Sequence, residues 1–109
     1  MSRFKFTNKD HNIFVTGYDR VTGVFIQIYM SECIDEIISI NNLGVYVNPK
    51  VKDVLTEKQQ HLLEETIKRF EKARQSGIDY PNLDLDTILR FADQFGFTNQ
   101  KNAIRYKMQ

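Results

Sequence analysis

The residues of this 109-residue chain best equipped for chemistry are Cys33, His11, His61 and the neighbouring carboxylates Glu64–Glu65 and Asp84/Asp86. A cysteine beside a histidine makes an activated nucleophile, and clustered His, Cys and Asp side chains hold metal ions. Spacing argues against both uses. The two histidines stand far from each other and from Cys33, and the chain contains neither C-x-x-C nor H-x-x-x-H. Asp84-x-Asp86 lacks the further acid, the glycine and the closing glutamate of a calcium loop. Cys33 lies beside Ile34 in a segment expected to be helical, and a buried cysteine is ordinarily inert packing, while His61 falls early on a polar helix, where a histidine is ordinarily solvated. There is no G-x-S-x-G, and the five glycines are too scattered for a phosphate loop. The expectation is therefore a non-enzymatic protein with no cofactor and no metal.

Charge narrows the partners. Fifteen basic and fourteen acidic residues leave a net charge of +1, too small a field to draw the chain to nucleic acid or to a membrane surface. The distribution is uneven. Residues 78–97 hold Asp79, Asp84, Asp86 and Asp93 against Arg90 alone, whereas the tail 98–109 carries Lys101, Arg105 and Lys107 with no acid. Arg3, Lys5 and Lys9 decorate the other terminus. The basic termini, together with aromatic residues on a small sheet, make a nucleic-acid-binding regulator the alternative reading, with an enzyme whose site the sequence does not display as the third. A solvated surface is the ordinary reading of such charges. The lone cysteine cannot form an internal disulfide, and no apolar run approaches the ~20 residues of a membrane span. No secretory leader pattern opens the sequence. A cytoplasmic protein is expected.

Aromatic residues suggest a different kind of site. Asn12–Met30, NIFVTGYDRVTGVFIQIYM, places two β-branched and aromatic runs around a polar turn that ends on Gly23, the pattern of a β-hairpin. Pairing Asp19 with Val24 gives the loop Arg20–Gly23 and sets Phe14, Thr16, Tyr18, Phe25, Gln27 and Tyr29 on one face. Ile13, Val15, Val24, Ile26 and Ile28 then lie on the other. A one-residue slip would mix the sets. Tyrosine, phenylalanine and arginine bury much area at low rotamer cost and are enriched at interface hot spots. Phe14, Tyr18, Asp19, Arg20, Phe25 and Tyr29 are accordingly the candidate partner-binding residues.

The remaining elements must cover the aliphatic side of that hairpin, because two strands alone are marginal. Phe4-Lys5-Phe6-Thr7 alternates as a short strand, so the hairpin extends into a meander of two or three strands. Ile34, Ile37 and Ile38 fall at helical spacing behind Ser31, which predicts a helix over about 32–41, stopped by Gly44. Val45-Tyr46-Val47 reads as a brief strand. Thr56 with Gln59 forms a capping box that opens a helix over 56–76, closed by Gly77. An aspartate cap opens another over 84–95, closed by Gly96. The fold class is α+β: an N-terminal antiparallel hairpin or meander packed against two to three C-terminal helices, in one domain spanning 1–109. The function this supports is a small adaptor, regulator or inhibitor that binds another protein, or a second copy of itself, through the aromatic hairpin face.

Overall fold

The computed structural model describes residues 1–31 and 35–109. Cys33 and Ile34 lie outside them. Five antiparallel strands come first: β1 (Ser2–Thr7), β2 (Ile13–Asp19), β3 (Gly23–Tyr29), β4 (Ile38–Asn41) and β5 (Gly44–Val47). They form one meander in sequence order. Three helices follow, α1 (Glu57–Gln75), α2 (Leu85–Gln94) and α3 (Lys101–Met108), with single 3₁₀ turns at Lys52–Val54 and Thr98–Gln100. The arrangement is α+β. No helix among the described residues is long and apolar enough to cross a membrane.

Local signals start the helices where the sequence places them. Thr56 Oγ1 accepts the Gln59 amide at 3.1 Å while Gln59 Oε1 accepts the Thr56 amide at 2.9 Å, closing the capping box of α1. Asp84 caps α2 by accepting the Thr87 amide at 2.8 Å. Gly96, at φ 88°, turns the chain out of α2 so that the Phe97 amide reaches back to the Ala92 carbonyl at 2.7 Å.

The hairpin register differs by one residue from the expected pairing. Asp19 faces Gly23, Tyr18 faces Val24, Thr16 faces Ile26 and Phe14 faces Ile28. Gly23 adopts φ 71° and closes the hairpin as a strand partner, leaving a three-residue loop, Arg20–Thr22. Asp19 Oδ1 accepts the amides of Val21 and Thr22 at 2.8 and 3.2 Å and pins the turn. A positive-φ glycine at that position is the usual close of a three-residue hairpin, and it shortens the loop by one residue.

The segment expected as a helix over 32–41 is a strand where it is described. Ile38–Asn41 pairs with β3 on one side and β5 on the other. The Ile37 amide also donates to Ile28 at 2.8 Å, although Ile28 is already the partner of Ile38. Two residues opposite one is a β-bulge, and it turns both Ile37 and Ile38 into the core. That bulge imitates helical spacing. Long-range pairing with β3 overrides it, as β-branched residues favour.

All three helices pack on one face of the sheet. The core joins Phe14, Ile26, Ile28, Ile38 and Ile40 of that face to Leu62, Leu63 and Phe70 of α1, Ile88, Phe91 and Ala92 of α2, and Ile104 of α3. The basic tail is thus a docked helix, with Ile104 0 % exposed. The other face carries Arg3 and Lys5 of β1, Ile13 and Val15 of β2, Phe25, Gln27 and Tyr29 of β3, Ser39 of β4 and Tyr46 of β5. No helix among the described residues lies against it.

Candidate interaction surface

The register divides the six candidate residues between two faces, so the aromatic face expected from the sequence does not exist. Phe14 is core, 0 % exposed, with its ring centroid 5.4 Å from that of Phe97. Thr16, on the same side, is also buried, and its hydroxyl donates to the Phe25 carbonyl at 2.9 Å. Tyr18 points to the helix side but at the end of the sheet, where it is half exposed. Asp19 is tied into the turn, whose amides hold its carboxyl below the usual value. Arg20 is exposed in the loop.

Phe25 and Tyr29 belong to the open face, and they differ. Arg3 reaches across Gly17, which has no side chain to obstruct it, and its guanidinium stands 6.0 Å from the Phe25 ring centroid. Its Nη1 donates to Gln27 Oε1 at 2.9 Å. Phe25 is left 8 % exposed, sealed by its neighbours rather than by a helix. Val15, opposite Lys5 and Gln27, is buried in the same way. Long polar side chains lying along a strand cover apolar surface with their stems.

At the other end of this face the cover opens. Tyr29, Tyr46, Asp35, Glu36 and Asn48 line an open hollow of about 490 Å³. Tyr46 is 49 % exposed. Asn48 braces the rim: its amide donates to the Ile37 carbonyl at 2.9 Å and its Nδ2 to the Glu36 carbonyl at 3.5 Å. Tyrosine faces and carboxylates together attract a cation, the rings through their quadrupole and the acids through charge. Of these residues, only Tyr29 was a candidate from sequence. The alternation Val45-Tyr46-Val47 carried the signal for Tyr46, since it sends the tyrosine opposite to both valines. Its value depends on knowing which face the helices leave bare.

A second cleft, about 570 Å³, lies between α1 and α2 and brings His61 near Glu57, Glu64, Arg90 and Asp93. Those side chains are exposed and of both signs. Arg90 is engaged with Glu65 through two hydrogen bonds of 3.1 and 2.8 Å, which hold the Glu65 carboxyl below its usual value. Nothing there withdraws a proton donor or nucleophile from water, the condition that tunes catalytic groups. His11 sits at φ 62° in the β1–β2 turn, exposed and not among the residues that line that cleft. Among the described residues no group of three or more His, Cys, Asp or Glu is placed to hold a metal ion. No known protein family, curated protein or solved structure matches the chain.

Proposed function

We propose that this chain is a small non-enzymatic protein that works by binding another protein through the open face of its sheet, with Tyr29 and Tyr46 as anchors. The observation that carries this reading is the hollow itself. Two tyrosines on strands separated by β4 border a concavity rimmed by Asp35 and Glu36, on the face that no helix among the described residues covers. Exposed apolar and aromatic patches on a sheet face are uncommon without a use, and tyrosine is enriched among interface hot spots. The partner's matching feature is a lysine or arginine on a protruding segment, since the site combines aromatic faces with carboxylates. Phe25 contributes as a support under Arg3 rather than as a first contact.

The test is site-specific photocrosslinking in the native host. A photoreactive residue at position 46 should trap a discrete protein adduct, and the same residue at Lys72 on the helical side should not. Adding Glu36→Lys to the position-46 probe should abolish the adduct while circular dichroism stays unchanged. Adducts of equal yield from both positions, or none from position 46, would reject the reading.

A further inference from the structure

We infer that the partner is an extended peptide segment that joins the sheet as a sixth strand, antiparallel to β5, a refinement that rests on reading the Tyr46 hollow as a protein-binding site. β5 ends the meander and pairs on one side only, with β4. The pairing also defines its free side. Asn41 and Gly44 flank a tight turn and exchange hydrogen bonds, which makes Ser39 and Tyr46 the next bonded pair. The Asn48 amide continues the alternation by donating to the Ile37 carbonyl at 2.9 Å. The amides and carbonyls of Val45 and Val47 therefore point away from β4, and no other backbone group bonds them among the described residues.

The two edges of the sheet are guarded differently. β1 carries Arg3 and Lys5, charges of the kind that deter a further strand. β5, Gly44-Val45-Tyr46-Val47, has neither charge nor proline, and its protection is its length of 4 residues. Main-chain bonds to so short a strand hold a peptide weakly, so selection has to come from pockets for alternate side chains. β5 has one on each side. Tyr46 borders the hollow of about 490 Å³ on the open face. Val45 and Val47 turn the other way and line a groove of about 580 Å³ against α1, with Leu55, Leu63 and Ile67 as its apolar wall.

These pockets specify the occupant. A residue opposite Tyr46 shares its face, and the carboxylates of Asp35 and Glu36 there select a lysine or arginine whose stem lies along the tyrosine ring. Residues opposite Val45 and Val47 face the groove, where Lys52 offsets Asp53 and Glu64 and the valines and leucines select an aliphatic side chain. The recognised order is apolar, basic, apolar. A second copy of this chain is a poor source of it. β5 contains no base. β1 has the order in Phe4-Lys5-Phe6, but both rings are engaged: Phe6 packs against the core, and the Phe4 ring centroid stands 5.6 Å from Lys107 Nζ.

A phage library of random peptides of about seven residues, enough to span β5, is panned against the full chain. Selected peptides should carry a lysine or arginine flanked on both sides by valine, isoleucine or leucine. A synthetic copy should slow amide exchange at Val45 and Val47 by about tenfold or more and leave α2 unchanged. N-methylating its two flanking residues, whose amides face β5, should weaken binding about tenfold or more, whereas N-methylating the basic residue, whose amide faces away, should cost little. Glu36→Lys should weaken binding of the same peptide at least as much. Sensitivity to Glu36→Lys without any response to N-methylation would overturn strand addition and leave the open-face reading standing. Indifference to Glu36→Lys, or a library that yields no binder, would overturn both. A chain that sediments as a dimer with Val45 and Val47 already protected would give the edge to a second copy and reject the peptide.

Discussion

The two faces of the sheet obey the same alternation and meet opposite fates. On the helix side Phe14, Ile26, Ile28, Ile38 and Ile40 are at most 1 % exposed and carry no charge. On the other side Val15 and Phe25 are nearly as buried, yet the cover is Lys5, Gln27 and Arg3 rather than a second layer. Burial on the first face is structural and permanent at the level of the fold. Burial on the second depends on the rotamers of a few long side chains, which rearrange far more cheaply than a helix undocks. A low exposure value therefore has two meanings in one sheet, and only the second is compatible with a surface that docks a partner.

The largest effect should come from testing that distinction directly. Phe14→Ala removes a fully buried ring that packs on Phe97 and should cost about 3–5 kcal/mol in urea unfolding. Tyr46→Ala, on the bare face, should stay within about 0.5 kcal/mol. If the two costs were alike, the open face would be covered in solution and the contrast would fail.

Gly17→Ala probes the seam where the open face covers itself. A Cβ at position 17 would lie 2.2 Å from the Ser2 carbonyl oxygen, which is backbone and has to move. The variant should lose about 1–3 kcal/mol through overpacking, less than Phe14→Ala because the displaced segment is the end of an edge strand. Amide hydrogen exchange should quicken in β1 and leave β4 and β5 unchanged. Uniform quickening across the sheet would mean that the outer cover is as integral as the core.

How much of this was legible beforehand depends on the range of the interaction. Thr56, Gln59, Asp84 and Gly96 act on neighbours within a turn, so their roles can be read from sequence and reappear in the fold. The hairpin is also visible, but its register rests on one conformational fact, whether Gly23 belongs to the loop or to the strand. That choice reassigns Phe14 and Tyr18 relative to Phe25 and Tyr29. The segment before Gly44 misleads because a bulge sends Ile37 and Ile38 the same way, and only pairing with Ile28 reveals it. The hollow that Tyr46 shares with Tyr29, and the burial of Ile104 in the core, were illegible for a simpler reason. Each becomes meaningful only once distant elements are in place.

The smallest effect concerns the helical layer that makes the faces differ. Asp84 joins α2 to α1: it caps Thr87 and pairs with Arg69 Nη2 at 2.9 Å, while Arg69 Nη1 donates to Thr87 Oγ1 at 2.7 Å. Partial burial is the largest single influence on its carboxyl and pushes upward, but the hydrogen bonds from Thr87 and Arg69 together hold it below its ordinary value of 3.8. A carboxyl depressed in the folded state stabilises the protein above its unfolded value, and that contribution drains away as pH falls through the lower folded value. Asp84→Ala should therefore cost about 1 kcal/mol near neutrality, and the gap from the native chain should hold down to about pH 4 and narrow below it. Asp84→Asn keeps the cap and loses the ion pair, so its stability should fall between the two. Urea titrations across that pH range decide the matter, since a gap indifferent to pH would assign the whole contribution to helix geometry and none to the charge linking α1 with α2.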